Sequence, residues 1–540
     1  MNAEWNIGRL FIPAALAVLV AACANGDTGD DNGEAASISI HGCEPLNPLI
    51  PSNTAEVCGG NPMDQMFTGL VAYNPRTAEP ENAVASAISS DDNVTWRIAL
   101  HEGWKFHDGT DVTADSFVSA WNWAAYGPHG QANSYFFAPI KGYTDVEGED
   151  ANGDDEITAD EAPTTEMSGL RVISDTEFTV ELDAPSSVFP VMLGYIAFAP
   201  LPASFFDDPE AFGRAPVGNG PFTFVSSEPD VSIKLTAFDD YPGPELEVKD
   251  VEYKMYRDAN AAYADLISNN LDIMWKLPTS ALTDDLYLDD LGDRVVDQAD
   301  GSIVFITAPQ YVAAYDNPDL TRAISMAIDR ESVIDVAFNG ARTPATGWVS
   351  PVVNGYQGGI CGPYCSYDPE AAKALFDTTG FEGPITLTYN ADGDHKTWAE
   401  ATCNSISNVL VIECLAVPMA DTATFLTTVQ DQEATGLLKG VWLMDYPSIE
   451  NFLVPLYATG ASSNDGGYSS PDFDAAVAEA ATLQGEEAIE KYQEAEAILA
   501  EDFPVIPLWY GRTVAGYSEN ITEVRFTPFS TVDLTSVRLS

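Results

Sequence analysis

From Asp319 onward the chain alternates two kinds of pattern, and this alternation limits the possible folds more than any other feature. Thr321 to Phe338 repeats apolar residues at helical spacing, Ala371 to Thr378 does so again, and Asp474 to Ala500 reads as a helical pair broken near Gly485. Between them, Ile385 to Tyr389 and Gly440 to Met444 are short strand-like runs, and Pro504 to Tyr510 is an apolar strand. Helices that alternate with strands bury their apolar faces on a shared sheet, so the pattern predicts an α/β unit with a largely parallel or mixed sheet. The earlier half has another texture. Ser37 to Ile40, Thr95 to Leu100 and Glu177 to Leu182 alternate as half-buried strands do, while Pro45 to Pro51 is too proline-rich to continue a sheet. Thr113 stands as an N-cap before Ala114 to Ala125, where Phe117, Val118, Trp121 and Ala124 recur at helical spacing; the chain ends in strand-like pieces such as Glu523 to Phe526. A chain of 540 residues outgrows a single core, so two or more large lobes are expected.

The first residues indicate where such a chain works. Leu10 to Ala22 is an apolar run too short and wrongly flanked for a stable membrane span, so residues 1–22 read as a signal peptide. The run ends Val20-Ala21-Ala22-Cys23, which resembles the bacterial lipobox, whose cysteine is lipidated and becomes the first mature residue. A plain secretory signal is the alternative, because the leading segment carries only Arg9 and an acidic Glu4. Residues 23–36, rich in Gly, Asp and Asn, read as a lipidated, flexible tether. The expected location is the outer face of the cell membrane or the periplasm, anchored by lipid at Cys23. Setting Cys23 aside from the seven cysteines leaves an even number, which in an exported chain reads as disulfides. Short loops close easily, which favours Cys43 with Cys58, Cys361 with Cys365 and Cys403 with Cys414, although other connectivities stay open. A zinc site would need paired C-x2-C spacing, which is missing, and the chain has only five His.

With 83 acidic against 23 basic residues, the formal charge of −60 excludes nucleic-acid or anionic-lipid binding by any broad surface. Self-repulsion on this scale calls for screening, so saline surroundings are expected.

Several blocks then occur in a telling order. Pro45-Leu46-Asn47-Pro48 and Met66-Phe67-Thr68-Gly69-Leu70 are followed by Trp96-Arg97-Ile98-Ala99-Leu100, by Trp104-Lys105-Phe106-His107-Asp108-Gly109-Thr110, and by Thr113-Ala114-Asp115-Ser116-Phe117. Val217-Gly218-Asn219-Gly220-Pro221-Phe222, Arg322 to Arg330, and Trp442-Leu443-Met444-Asp445-Tyr446-Pro447 complete the series. In this order they resemble the peptide, dipeptide and nickel-binding family of ABC-importer solute-binding proteins, over nearly the whole mature chain. The resemblance implies a two-lobed, periplasmic-binding-protein-like (Venus flytrap) α/β fold, with two crossing strands and a ligand enclosed between the lobes. By analogy the first lobe is 37–305 plus 511–540, with an extra subdomain near 70–170, and the second lobe is 306–510.

The resemblance also implies site residues. In the family's peptide binders the Asp of the W-x-x-D-Y block pairs with the ligand's amino terminus, and here that residue is Asp445 beside Trp442. An unpaired charge in that apolar setting is costly once a cleft closes, and an incoming ammonium relieves it. A structural salt bridge or a solvated turn is the plain alternative. Lys439 and His395 align with groups that meet the peptide carboxylate in relatives, against the alternative of surface residues. Tyr135, Trp398, Trp442, Trp509 and Tyr510 are candidates to line the cleft, though core packing is the usual fate of such rings. Ser52, Asn53 and Thr54 occupy the loop that, by resemblance, offers backbone hydrogen bonds to an extended ligand.

Residues 150–161 resemble a twelve-residue EF-hand loop, with Asp150, Asn152, Asp154, Glu156 and Glu161 as candidate calcium ligands, but Asp155 replaces the turn glycine. Acidic composition makes chance matches common. No G-x-S-x-G, H-E-x-x-H, P-loop or G-x-G-x-x-G motif occurs. The sequence therefore reads as a monomeric, cofactor-free lipoprotein that captures peptides for a membrane permease and its ATPase. An oligosaccharide or metal-chelate receptor of the same fold is the alternative within binding, and a secreted hydrolase the alternative outside it.

Overall fold

A computed structural model of the protein describes residues 36–151, 153, 157–244, 246–392 and 395–540. The signal peptide, Cys23, nearly all of the tether, and three of the candidate calcium ligands, Asn152, Asp154 and Glu156, lie outside these residues.

One sheet of eleven strands runs through the molecule. At its centre the Val295–Thr307 and Val505–Tyr517 strands, 13 residues each, lie antiparallel. Ile303 to Ile306 and Val505 to Tyr510 are unbroken apolar runs because both faces are covered there. On one side follow Leu437–Leu443, Ile385–Asn390 and Cys414–Met419, with the last two pairs of neighbours parallel. On the other side come Ile273–Met274, Ser37–Gly42, Asp250–Met255, Ser232–Ala237 and Phe222–Glu228. The expected mixed sheet is therefore present, and it is shared by both halves of the chain.

The register of the central pair slips twice, between Ala299 and Ile303 and again between Val304 and Phe305, and the larger slip lies where the two halves meet. Ala299 faces Arg512 and Ile303 faces Tyr510, so Asp300, Gly301 and Ser302 bulge opposite the single Gly511. Asp300 Oδ1 accepts from the Ser302 amide at 3.0 Å and its hydroxyl at 2.5 Å. A Cβ on Gly511 would run into Ser302 Oγ and Asp300 Oδ1, so the bulge requires glycine there. Gly301 donates its N–H to Pro528 O at 2.8 Å and accepts the Met444 N–H at 3.0 Å.

The helix predicted from Thr321 to Phe338 is two helices, Pro318–Met326 and Arg330–Phe338. Asp329 breaks the run because its carboxylate caps the second helix, accepting the Ser332 amide at 3.1 Å. The break delivers Arg330 into the core at 3% exposure. Its guanidinium holds Pro507 O at 2.7 Å and Ser325 O at 3.0 Å, and burial pulls it down to about 9, still charged at neutral pH. The pair around Gly485 is Pro471–Thr482 and Gly485–Asp502.

A separate four-stranded antiparallel sheet has the order Ala85–Ser89, Thr95–Leu100, Glu177–Glu181, Leu170–Ser174. The Ala114–Ala125 helix covers it, and Ser116 Oγ accepts the Thr113 amide at 3.1 Å. Phe117, Trp121 and Phe178 interlock beneath it, with Trp121 edge-on to Phe178 at 5.6 Å. Asn93, in the tight turn before Thr95, is 1% exposed and donates to Ala481 O at 3.2 Å and Leu483 O at 2.9 Å. Gln484 returns a bond to Asn93 Oδ1 at 2.8 Å, so this turn is tied to the turn between the two long helices.

The cysteines other than Cys23 stand as neighbours in the expected pairs. Cα–Cα separations are 5.1 Å for Cys43 and Cys58, 5.8 Å for Cys361 and Cys365, and 4.9 Å for Cys403 and Cys414.

Candidate functional site

A cavity of about 600 Å³ lies where the central bulge meets the chain's two halves. Its walls come from Thr54 to Pro75, Gly194 to Ala199, Leu443 to Asp445 and Thr527 to Thr535. The bulge binds two of these walls directly, through Pro528 and Met444.

Asp445 follows the Leu437–Leu443 strand and precedes the Ile449–Tyr457 helix. Asn451, 1% exposed in that helix, fixes it. Its Oδ1 accepts from the Asp445 amide at 3.0 Å and from Trp442 Nε1 at 3.2 Å, and its Nδ2 donates to Asp445 Oδ2 at 3.2 Å. Enclosure pushes the Asp445 carboxyl up to about 6, and the bond from Asn451 works the other way. Tyr73 and Tyr195 are both raised, first by burial and then by the charge of Asp445, so two phenols lie within its field. Tyr73 donates to Val191 O at 2.8 Å, and Phe136 stacks on Tyr195 at 4.2 Å. Asp64 faces the open cavity, yet the surrounding walls push its carboxyl up to about 7.

Lys439, His395 and Trp398 form a second group. Lys439 Nζ lies 3.4 Å from His395 Nε2 and 5.3 Å above the Phe425 ring, and Trp398 Nε1 donates to His395 Nδ1 at 3.2 Å. Burial lowers the Lys439 ammonium, with Asp392 and Asp465 opposing, while burial raises Asp465 to about 6. Lys439, Val441 and Leu443 alternate along one strand and so share a face, which places Lys439 about 13 Å along the sheet from the cavity wall at Leu443.

The other expected residues fall elsewhere. Trp398, Trp509 and Tyr510 are 2%, 0% and 2% exposed, and pack in the core and not on the cavity wall. Trp509 meets Trp398 edge-on at 5.4 Å, and Tyr510 donates to Gly347 O at 3.3 Å. Tyr135 is 53% exposed and leans on Phe136. In the Ser52 to Thr54 loop only Thr54 reaches the cavity. Ser52 Oγ donates to Gln131, Asn53 Oδ1 accepts from Ala132, and Asn133 bonds both the Ser52 and Thr54 carbonyls, so these groups are engaged within the protein. In the candidate calcium loop, Glu161 Oε2 accepts from the Thr158 amide and hydroxyl, and Asp150 Oδ1 from the Gly153 amide. Sequence reasoning missed Asp64, Tyr73, Tyr195 and Phe529, which line the cavity from segments far apart in the chain.

A two-walled cavity astride a shared sheet, with one carboxylate held in place by a buried amide, suits the capture of a solute. The family described as bacterial extracellular solute-binding proteins, family 5 Middle, matches residues 79–464. The chain belongs to the bacterial extracellular solute-binding proteins of family 5. It is 24% identical to the oligopeptide-binding protein OppA of Bacillus subtilis, with 97% of each chain covered. It is 27% identical to the dipeptide-binding protein DppE of the same organism, covering 88% of this chain and 86% of that one. Its fold matches the unliganded open form of the periplasmic murein tripeptide-binding protein MppA with a TM-score of 0.79, at 19% identity, over 94% of this chain and 98% of that one. The fold is thus the two-lobed α/β fold of periplasmic binding proteins.

Proposed function

We propose that this protein is the receptor of an ABC importer, anchored by lipid at Cys23, that encloses peptides between its lobes and passes them unmodified to a permease with its ATPase. The proposed lobes are 37–305 plus 511–540 and 306–510, with Cys43–Cys58, Cys361–Cys365 and Cys403–Cys414 as disulfides. The carrying observation is Asp445: an enclosed carboxylate, oriented by Asn451, at the wall of a cavity that no Lys, Arg or His lines among the described residues. A peptide's terminal ammonium is the complement it lacks. The names of OppA, DppE and MppA support the same ligand class. Lys439, beside His395, supplies positive charge further along the same strand, where the carboxylate of an extended peptide of about four residues would arrive.

Asp445→Asn keeps the shape and removes the charge. Calorimetric titration with a short peptide is expected to show an affinity loss of about 30-fold or more, since a desolvated charge pair is broken. Unchanged affinity, or a purified protein that releases only sugars or metal chelates to mass spectrometry, would end the peptide reading.

A further inference from the structure

Four acids line the cavity: Glu56, Asp64, Asp445 and Asp533. Two serve the backbone. Glu56 caps the Val57–Met66 helix, accepting the Cys58 amide at 2.6 Å and the Gly59 amide at 2.9 Å. Asp533 accepts the Thr535 amide at 3.1 Å and its hydroxyl at 2.5 Å. Asp445 is held by Asn451. Asp64 differs from all three: it makes no hydrogen bond or ion pair to any described residue. On the same wall Thr54, 3% exposed, has an Oγ1 that also lacks a hydrogen-bond partner among the described residues. Tyr195 lies within the field of both Asp64 and Asp445, so the two carboxylates share one neighbourhood.

We propose that Asp64 is a second cation-binding carboxylate of this cavity, and that the preferred ligands are peptides carrying a Lys or Arg side chain besides the terminal ammonium taken by Asp445. This rests on the peptide reading above. A peptide with a single cation leaves the Asp64 charge enclosed and unmatched when the walls come together, which is costly. A lysine or arginine head matches it, and its methylene stem lies along apolar wall such as Phe67 and Tyr241. The Thr54 hydroxyl, buried without a partner on this wall, gains one if a small shift of its side chain lets it accept a ligand N–H. An acidic side chain in this position is repelled, so the same residue discriminates against acidic peptides.

The test is calorimetric titration of the mature chain with all-alanine pentapeptide, with versions carrying one lysine moved through the interior and final positions, and with cadaverine. Wild type, Asp64→Asn and Asp64→Glu are compared, with thermal midpoints verifying that each variant is folded. The expected result is at least one lysine position that binds about tenfold or more tighter than all-alanine. That gain over all-alanine is lost in Asp64→Asn and kept in Asp64→Glu, and all-alanine itself binds Asp64→Asn at least as tightly as wild type because no unmatched charge is left. The proposal is overturned if no lysine position gains, or if the gain survives Asp64→Asn. If no peptide binds but cadaverine does so in an Asp64-dependent way, the peptide reading falls and the second cation site stands. If nothing binds, both fall.

Discussion

Glu496 is fully enclosed, accepts the Trp348 amide at 3.0 Å on one oxygen, and has no hydrogen-bond partner for the other among the described residues. Burial raises it from 4.5 to about 7. The folded form therefore holds this proton longer than the unfolded chain does. Its contribution to stability is complete below about pH 4 and is lost as pH rises through about 7. Glu496→Gln, which imitates the protonated acid, is expected to gain on the order of 2 kcal/mol over wild type at pH 8 and almost nothing at pH 4. Urea midpoints at the two pH values check this. Legibility at this scale was uneven for a physical reason. Asp445 stands out because its neighbours Trp442 to Pro447 form a recognisable block, whereas Asp64 gains its meaning only from walls contributed by segments more than 100 residues away, such as Gly194 to Ala199. Trp509 and Tyr510 look alike in sequence whether they face a core or a cleft, and here strand partners on both sides enclose them.

Among the elements, strands and helices with a clear period came through nearly intact, as Thr95–Leu100 and Ala114–Ala125 illustrate. The break at Asp329 escaped notice because the apolar spacing continues across it, and a carboxylate cap competes with helix continuation only in three dimensions. The tie between the turn at Asn93 and the turn at Leu483 was likewise invisible, since it joins positions about 390 residues apart. Asn93 combines two demands: its amide bridges the turns, and its φ of 57° is one that asparagine tolerates better than most residues. Asn93→Ala should therefore cost about 3 kcal/mol, from stranded carbonyls and backbone strain together. A denaturant titration showing less than about 1 kcal/mol would mean that the tie is dispensable.

For the molecule as a whole, a formal charge of −60 opposes compaction, and the 14 salt bridges among the described residues are mostly exposed pairs that contribute little. Screening should then matter more than pairing. The thermal midpoint is expected to rise steadily from low salt to molar sodium chloride, and a flat profile would show that the acids are dispersed widely enough to be harmless. The overall α/β plan was readable because periodicity and ordered blocks span the chain; the cavity was not, because it belongs to no single segment. Gly301 joins two sides of it. The N–H of that residue is held by one wall of the cavity and its C=O by the other, at Pro528 and Met444. A single residue is thus tethered to both sides of the cavity, and any change in their separation would load one of its two bonds.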